Sequence, residues 1–339
     1  MKSSYFIPLE VKKDVIGILH LVSIDKGINI NEADNIYLNS FINQITFAIN
    51  NSLLFERLTK AMRDLERMHI KLKEKTDLLT EDLKLARKIQ QAVLPTKLNE
   101  LKNIRFFLQY IPLQHVGGDF YDIFKLHEDK IRIFLCDATG HGVQGALTTM
   151  AIKALYESFK LTIEDPSDLL ALINDEYSEK LPIGSYFTAV IMDVDCSCGT
   201  ISYSNAGHPY PILISNHSSI QLEGRSRMIG ISFGDSEYKT YNISVTDGSK
   251  VYLFTDGIFE AFNVRGEEYG EKRILKFLSE NRFMDLRELG KALMYDVHKF
   301  LDRKNLTDDL CLIGFELPNL RKKSISGEEH EPTDELELL

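Results

Sequence analysis

Apolar and polar positions alternate over residues 5–11 and again from Val15 to Val22, which predicts two short strands, the second loosened at Gly17. The period then changes. Asn31-Glu32-Ala33-Asp34 has the form of a capped helix start, and Ile36, Phe41, Ile45, Ala48 and Ile49 follow at roughly helical spacing. Further on, Leu58, Leu65, Leu72, Leu79, Ala86 and Val93 recur every seven residues, with Leu54, Ala61, Met68, Lys75, Asp82 and Ile89 at the offset positions. No Gly or Pro interrupts this run, so it predicts a coiled-coil helix on the order of 65 Å long at 1.5 Å per residue. Lys75 and Asp82 fall on the seam and weaken it locally. Pro95 ends the element, because the residue before a proline is pushed out of helical conformation.

Beyond Pro95 strands dominate. Apolar runs at Ile104–Ile111, Phe120–Leu126, Ile131–Cys136, Phe187–Val194, Thr200–Ser204, Pro211–Ser215, Lys239–Val245, Val251–Phe254 and Leu310–Phe315 read as strands. Helical periodicity marks Val143–Phe159, Pro166–Leu181, Glu271–Glu280 and Leu286–Leu301. Grouped strands and grouped helices, without strict alternation, indicate an α+β fold with helices covering packed antiparallel sheets. The chain therefore divides into residues 1–50, a coiled-coil segment 51–95, a large domain 96–317, and a charged tail 318–339 expected to be disordered.

The 339 residues are 44% apolar and 27% charged, which is ordinary globular composition and leaves room for two domains. A net charge of −10 without a dense Lys/Arg stripe argues against a nucleic-acid surface. Cys136, Cys196, Cys198 and Cys311 lack zinc spacing and read as reduced thiols. No apolar run is long enough to span a bilayer, and the N-terminus has no long apolar signal segment, so a soluble cytoplasmic protein without a membrane partner is expected.

The chemistry gathers at strand ends. Gly117-Gly118-Asp119 opens one apolar run, Asp137 ends another, Thr255-Asp256-Gly257 follows a third, and Thr307-Asp308-Asp309 precedes the last. Carboxylates are costly to bury unless they are paired or hold a metal. Converging strand ends of this kind would form a cluster of hard oxygen ligands suited to Mg2+ or Mn2+.

Two resemblances follow from these residues. Residues 16–34, Ile-Gly-Ile-Leu-His-Leu through Asn-Glu-Ala-Asp with the helix after them, resemble the C-terminal third of a GAF sensor domain, and no ligand is assigned to it. Gly117-Gly118-Asp119-Phe120-Tyr121-Asp122, Asp137-Ala138-Thr139-Gly140-His141-Gly142, Asn205-Ala206-Gly207-His208-Pro209, Thr255-Asp256-Gly257-Ile258-Phe259-Glu260-Ala261 and Thr307-Asp308-Asp309 resemble the signature blocks of PPM-type metal-dependent protein phosphatases of the SpoIIE/RsbU branch. With Ala86-Arg87-Lys88-Ile89-Gln90-Gln91 through Pro95 as its entry helix, the resemblance covers roughly residues 85–316. It implies an αββα sandwich and hydrolysis of phosphoserine or phosphothreonine on a partner protein, usually a small STAS-domain anti-anti-sigma factor.

Carried onto this chain, the resemblance makes Asp119 and Asp137 ligands of two ions, with Asp137 bridging and the Ala138 carbonyl adding an oxygen. Asp256 and Asp308 would hold the second ion. Asp308 and Asp309 are adjacent and a strand sends neighbours to opposite faces, so one of the two enters the site; the family pattern selects Asp308. His141 is either a leaving-group acid or a solvated loop residue, and His208 either functional or part of a bend. Tyr121 and Asp122 read as strand residues, and Glu260 either orients a ligand or caps the next segment. Two rivals remain: an inactive phosphatase-fold regulator, and a nucleotide cyclase, against which Phe120 stands where an acidic residue is needed. The heptads predict a parallel homodimer.

Overall fold

Hydrophobic alternation in the first residues does become a hairpin. The computed structural model describes residues 3–24, 27, 31–95, 104–140, 142–180, 184–231, 237–302 and 304–317. The chain divides into two compact units, Met1–Thr80 and Glu81–Leu339. In the first, β1 (Ser3–Val11) and β2 (Asp14–Ser23) pair antiparallel across a tight turn, with Lys12 and Lys13 at positive φ. The register shifts between Leu9 and Glu10, opposite Gly17, which is where the missing side chain loosens the strand. Asn31 and Asp34 form a reciprocal cap: the Asp34 amide donates to Asn31 Oδ1 at 2.8 Å, and the Asn31 amide to Asp34 Oδ2 at 3.3 Å.

From this cap runs α1 (Glu32–Ala92). The two helical stretches of the sequence are one uninterrupted helix, which stops three residues short of Pro95. Leu54, Leu58, Leu65, Met68, Leu72 and Leu79 on its seam are all more than half exposed. Among the described residues up to Thr80 only Leu9, Ile42 and Thr46 are buried, so this unit has almost no core of its own.

The second unit begins within α1. Its elements are β3 (Arg105–Ile111), β4 (Asp119–Lys125), β5 (Lys130–Ala138), α2 (Val143–Phe159), α3 (Pro166–Lys180), β6 (Phe187–Asp195), β7 (Thr200–Ala206), β8 (Ile212–Ile214), β9 (Ser219–Gln221), β10 (Arg225–Ser226), β11 (Tyr241–Ser244), β12 (Lys250–Phe254), α4 (Glu271–Glu280), α5 (Leu286–Leu301) and β13 (Leu310–Glu316). One sheet has the order β10-β7-β6-β5-β4, with β11 also paired to β7; the other is β3-β13-β12-β8-β9. Every pairing is antiparallel except the two-residue β10–β7 contact, which is parallel.

Side-chain alternation explains the layers. On β13, Cys311, Ile313 and Phe315 enter the core shared with the first sheet, whereas Leu310 and Leu312 pack with α4 and α5. On β5, Phe134 stacks on Tyr156 of α2. The result is an αββα sandwich. The short β9 and β10 carry too few residues to show a period, and the sequence reading passes over them.

Arg132 also escaped the sequence reading. It sits on the outward face of β5, fully buried with Asp193 of β6. Its Nε donates to Asp193 Oδ1 at 2.6 Å and Nη2 to Oδ2 at 2.8 Å. Its remaining donors reach the carbonyls of Lys160, Ile163 and Glu164, closing the C-terminal end of α2 onto the sheet. Lys130 also reaches Asp193 Oδ2 at 3.1 Å, but removing Arg132 takes away the two short bonds that match the buried carboxylate. Arg132→Ala is therefore expected to destabilise the sandwich by about 3–5 kcal/mol, read as a shift in the urea midpoint. Arg132→Met with Asp193→Leu should cost much less.

Candidate active site

Strand register builds the site. β4 and β5 pair with Asp119 opposite Asp137, and β5 and β6 with Asp137 opposite Thr188. In the second sheet Phe254 pairs with Leu312, so Thr255 and Asp256, which leave β12, lie at the same end as Asp308 and Asp309, which enter β13. Thr255 joins the two sheets there. Its hydroxyl donates to Asp119 Oδ2 at 2.8 Å and accepts the Cys311 amide at 2.8 Å. Asp256 opens a short 3-10 turn, Asp256–Ile258, and its carboxyl shares a hydrogen bond with that of Asp137 across the sheets.

The glycines of the first block are required by space. A Cβ on Gly117 would lie 2.8 Å from Asp309 Oδ2, and one on Gly118 would lie 2.9 Å from the Ala138 carbonyl oxygen. That loop is held from two sides. Asp309 accepts the Leu113 amide at 2.6 Å and the Gly118 amide at 2.5 Å. Gln90 of α1 is buried; its Nε2 donates to the Gly117 carbonyl at 2.7 Å while its Oε1 accepts the Gly117 amide at 3.1 Å. The same Nε2 reaches Thr149 of α2 at 3.2 Å.

The electrostatics are those of crowded like charges. Burial first, then Asp137 and Asp309, hold the Asp119 carboxyl well above the usual carboxylate range, against the Thr255 hydrogen bond that pulls it down. Burial, Asp256 and Asp308 push Asp137 up in the same way. Burial and then Asp308 raise Asp256 to about 6. The groups that weigh most on these three carboxyls are burial and other carboxylates, with no Lys or Arg among them. Among the described residues no three His, Cys, Asp or Glu side chains converge closely enough to enclose an ion as they stand. The donors are nevertheless all hard oxygens under mutual repulsion, which a divalent cation relieves, and in that chemical sense the set fits Mg2+ or Mn2+.

Asp119, Asp137, Asp256 and Asp308 thus gather at one end of the sandwich, with the Ala138 carbonyl against Gly118. The adjacent pair divides its work: both Asp309 oxygens are taken by backbone amides, while Asp308 faces Asp137 and Asp256 and, among the described residues, accepts the Asp309 amide. His141 lies outside the described residues, as does the tail 318–339. His208 is fully buried in the bend after β7, and Glu260 is exposed beside Asp308 and Glu268. Tyr121 packs edge-on against Tyr110, and Asp122 pairs with Lys160 at 2.7 Å, so both serve the strand. Thr255 and Asp309 as a latch are site residues that sequence reasoning missed, while Gln90 was placed on the entry helix without its Gly117 partner. The repeated Thr-Asp at residues 255–256 and 307–308 was the available signal for the first.

Comparison with known proteins agrees with this geometry. The family described as stage II sporulation protein E (SpoIIE) matches residues 127–318, more than half of the chain. Phosphoserine phosphatase RsbP of Bacillus subtilis is 30% identical over 244 residues, covering 68% of this chain and 57% of that protein. Phosphoserine phosphatase RsbU of the same organism is 26% identical over 238 residues, covering 69% and 70%. The SiaA-PP2C domain of Pseudomonas aeruginosa superposes with a TM-score of 0.63 at 25% identity, over 71% of this chain and 98% of that domain. The PP2C phosphatase domain of SpoIIE from Bacillus subtilis shares the fold at a TM-score of 0.56 and 16% identity, covering 63% and 64%.

The raised carboxyls set a pH dependence of stability. A folded-state pKa above the unfolded value contributes stability that is fully present below about 4 and lost as pH rises through about 6. In chelator, the melting temperature should therefore fall between pH 4.5 and 7.5 by roughly 5 °C more in the native chain than in Asp256→Asn. Parallel pH profiles of the two proteins would contradict the charge crowding.

Proposed function

Because the chain belongs to the SpoIIE family of PP2C-type phosphatases, we propose that it hydrolyses phosphoserine or phosphothreonine on a partner protein. The observation that carries this reading is the gathering of four aspartates from both sheets in a chain 30% identical to a phosphoserine phosphatase. Asp119 and Asp137 would hold Mn2+ or Mg2+ with the Ala138 carbonyl, Asp137 shared between two ions, and Asp256 and Asp308 would complete the second. Bound there, the ions supply Lewis-acid charge for the phosphate oxygens and a water acidified for in-line attack. The chain's own residues set the geometry. Thr255 fixes one oxygen of Asp119, and Asp309 keeps the loop over the site closed against β13.

The sequence has no glycine-rich phosphate loop ending in Gly-Lys and no dinucleotide fingerprint, which favours a phosphoprotein over a nucleotide. The family resemblance favours a STAS-domain anti-anti-sigma factor as that partner. No helix among the described residues is long and apolar enough to cross a membrane, which supports a cytoplasmic location. The exposed leucine seam of α1 supports a parallel homodimer through residues 51–95.

Turnover of a phosphoserine STAS protein should require added Mn2+ or Mg2+ and stop in EDTA. Asp137→Asn and Asp256→Asn should each lower kcat more than about 100-fold with circular dichroism unchanged. Full activity in chelator, or in either variant, would refute the two-metal site. Loss of phosphate faster from small metabolites than from any phosphoserine protein would refute the substrate class.

Lys75 and Asp82 are the polar points of the seam. Lys75→Leu with Asp82→Leu should tighten the dimer by at least about tenfold in light scattering and hold activity at one level. A monomer at micromolar concentration, or a tighter dimer with unaltered activity, would reduce α1 to a tether.

A further inference from the structure

His208 is the buried imidazole for which the site described so far has no use. Its backbone is locked in place. The His208 amide donates to Asn205 Oδ1 at 2.8 Å, and Asn205 Nδ2 donates back to the His208 carbonyl at 3.0 Å. Gly207 before it has φ +73°, and a Cβ there would lie 2.4 Å from Met228 Cγ, so the bend tolerates no other residue without movement. The ring is therefore placed by its own loop.

The ring hydrogen bond at Nδ1 points to the site. Nδ1 lies 2.8 Å from Thr188 Oγ1, and Thr188 is the residue opposite Asp137 in the β5–β6 register. Directly opposed residues in an antiparallel pair share a face, with Cβ atoms about 5 Å apart. Thr188 is half-buried beside Asp137, and His208 lies fully buried behind it. Among the described residues Nε2 has no hydrogen bond of normal geometry, and the Phe254 carbonyl is the backbone acceptor that acts on the ring.

Burial, and then the charge of Arg225, pull the His208 pKa down to about 3, so the ring is neutral at working pH. A neutral imidazole has one N–H and one bare nitrogen. The Phe254 carbonyl favours a proton on the ring, and with Nδ1 engaged by Thr188 that proton belongs on Nε2. Nδ1 is then the acceptor, and the Thr188 hydroxyl spends its single proton on it. The lone pairs of Oγ1 then remain on the face of the sheet that Thr188 shares with Asp137. Two acceptors set side by side repel unless a proton donor lies between them, and water is the donor that fits a half-open polar site.

We infer that His208 is a positioning residue which aims the Thr188 hydroxyl so that Thr188 and Asp137 together hold one ordered water at the site. This goes beyond the phosphatase reading and rests on it, since the water would be one of those that a hard cation retains at Asp137.

The test separates the two. Manganese binding to the full chain is measured by calorimetry without substrate, alongside kcat and KM on a phosphoserine peptide. If the unaltered chain binds no manganese, the metal-site reading itself fails. If it binds, Thr188→Val should weaken binding roughly 10-fold and lower kcat with little change in KM, while the melting temperature in chelator stays put. Thr188→Ser, which keeps the hydroxyl, should restore both. His208→Leu combined with Thr188→Val should be no worse than Thr188→Val alone, because both act through one hydroxyl. Should His208→Leu fail to fold, the Thr188 pair still decides the matter. Unchanged manganese affinity in Thr188→Val, an equal loss in Thr188→Ser, or additive effects in the double variant would overturn the inference.

Discussion

Repulsion among carboxylates is the constraint around which the second unit is arranged. Asp119 and Asp137 face one another within one sheet, and Asp256 and Asp308 come from the other. Left alone, such a cluster pushes the sheets apart at that end. Neutral groups resist this: the Thr255 hydroxyl ties Asp119 to the β12–β13 edge, and two backbone amides tie Asp309 to the Leu113–Gly118 loop. The strands behind them run into continuous apolar cores on both faces of the sandwich. The site is thus a region of stored electrostatic cost on a well-packed base.

Arg132 of β5 and Asp193 of β6 show the opposite solution on the outward face of the same sheet. There a buried carboxylate is matched by a guanidinium whose other donors end on backbone carbonyls. The β5–β6 pair therefore carries both kinds of buried acid, Asp137 on one strand and Asp193 on the other. The paired one closes the helical layer, and the unpaired one is left available for a cation.

Much of this was legible in the sequence because the period of a strand and the period of a helix differ. The bounds of α2, α4 and α5 match the apolar periodicity residue for residue, and the aspartates stand where apolar runs begin or stop. What was hidden depends on contacts between distant positions. Nothing local in Lys-Ile-Arg-Ile says that Arg132 is buried beneath α2, since the same alternation fits a solvated face. Asp309 looked like a competitor of Asp308 until its two oxygens were seen to be occupied. The sequence left His208 open between a functional residue and part of a bend, and its reach to Thr188 depends on a register that only the assembled sheet defines.

Gln90 gives the end of α1 a phase. Its amide grips both polar atoms of the Gly117 peptide, next to the residue that leads into Asp119. A helix turns about 100° per residue, so a slip of one position would carry that amide to another side of the cylinder and leave a buried peptide group without partners. The contact works like a key in a lock cylinder, engaged at one rotation. Translation along the axis by a full turn is no substitute, because Lys-Ile-Gln-Gln offers a glutamine at only two neighbouring rotations. Axial rotation of the last turn is therefore the one motion of α1 to which the glycine loop is rigidly geared.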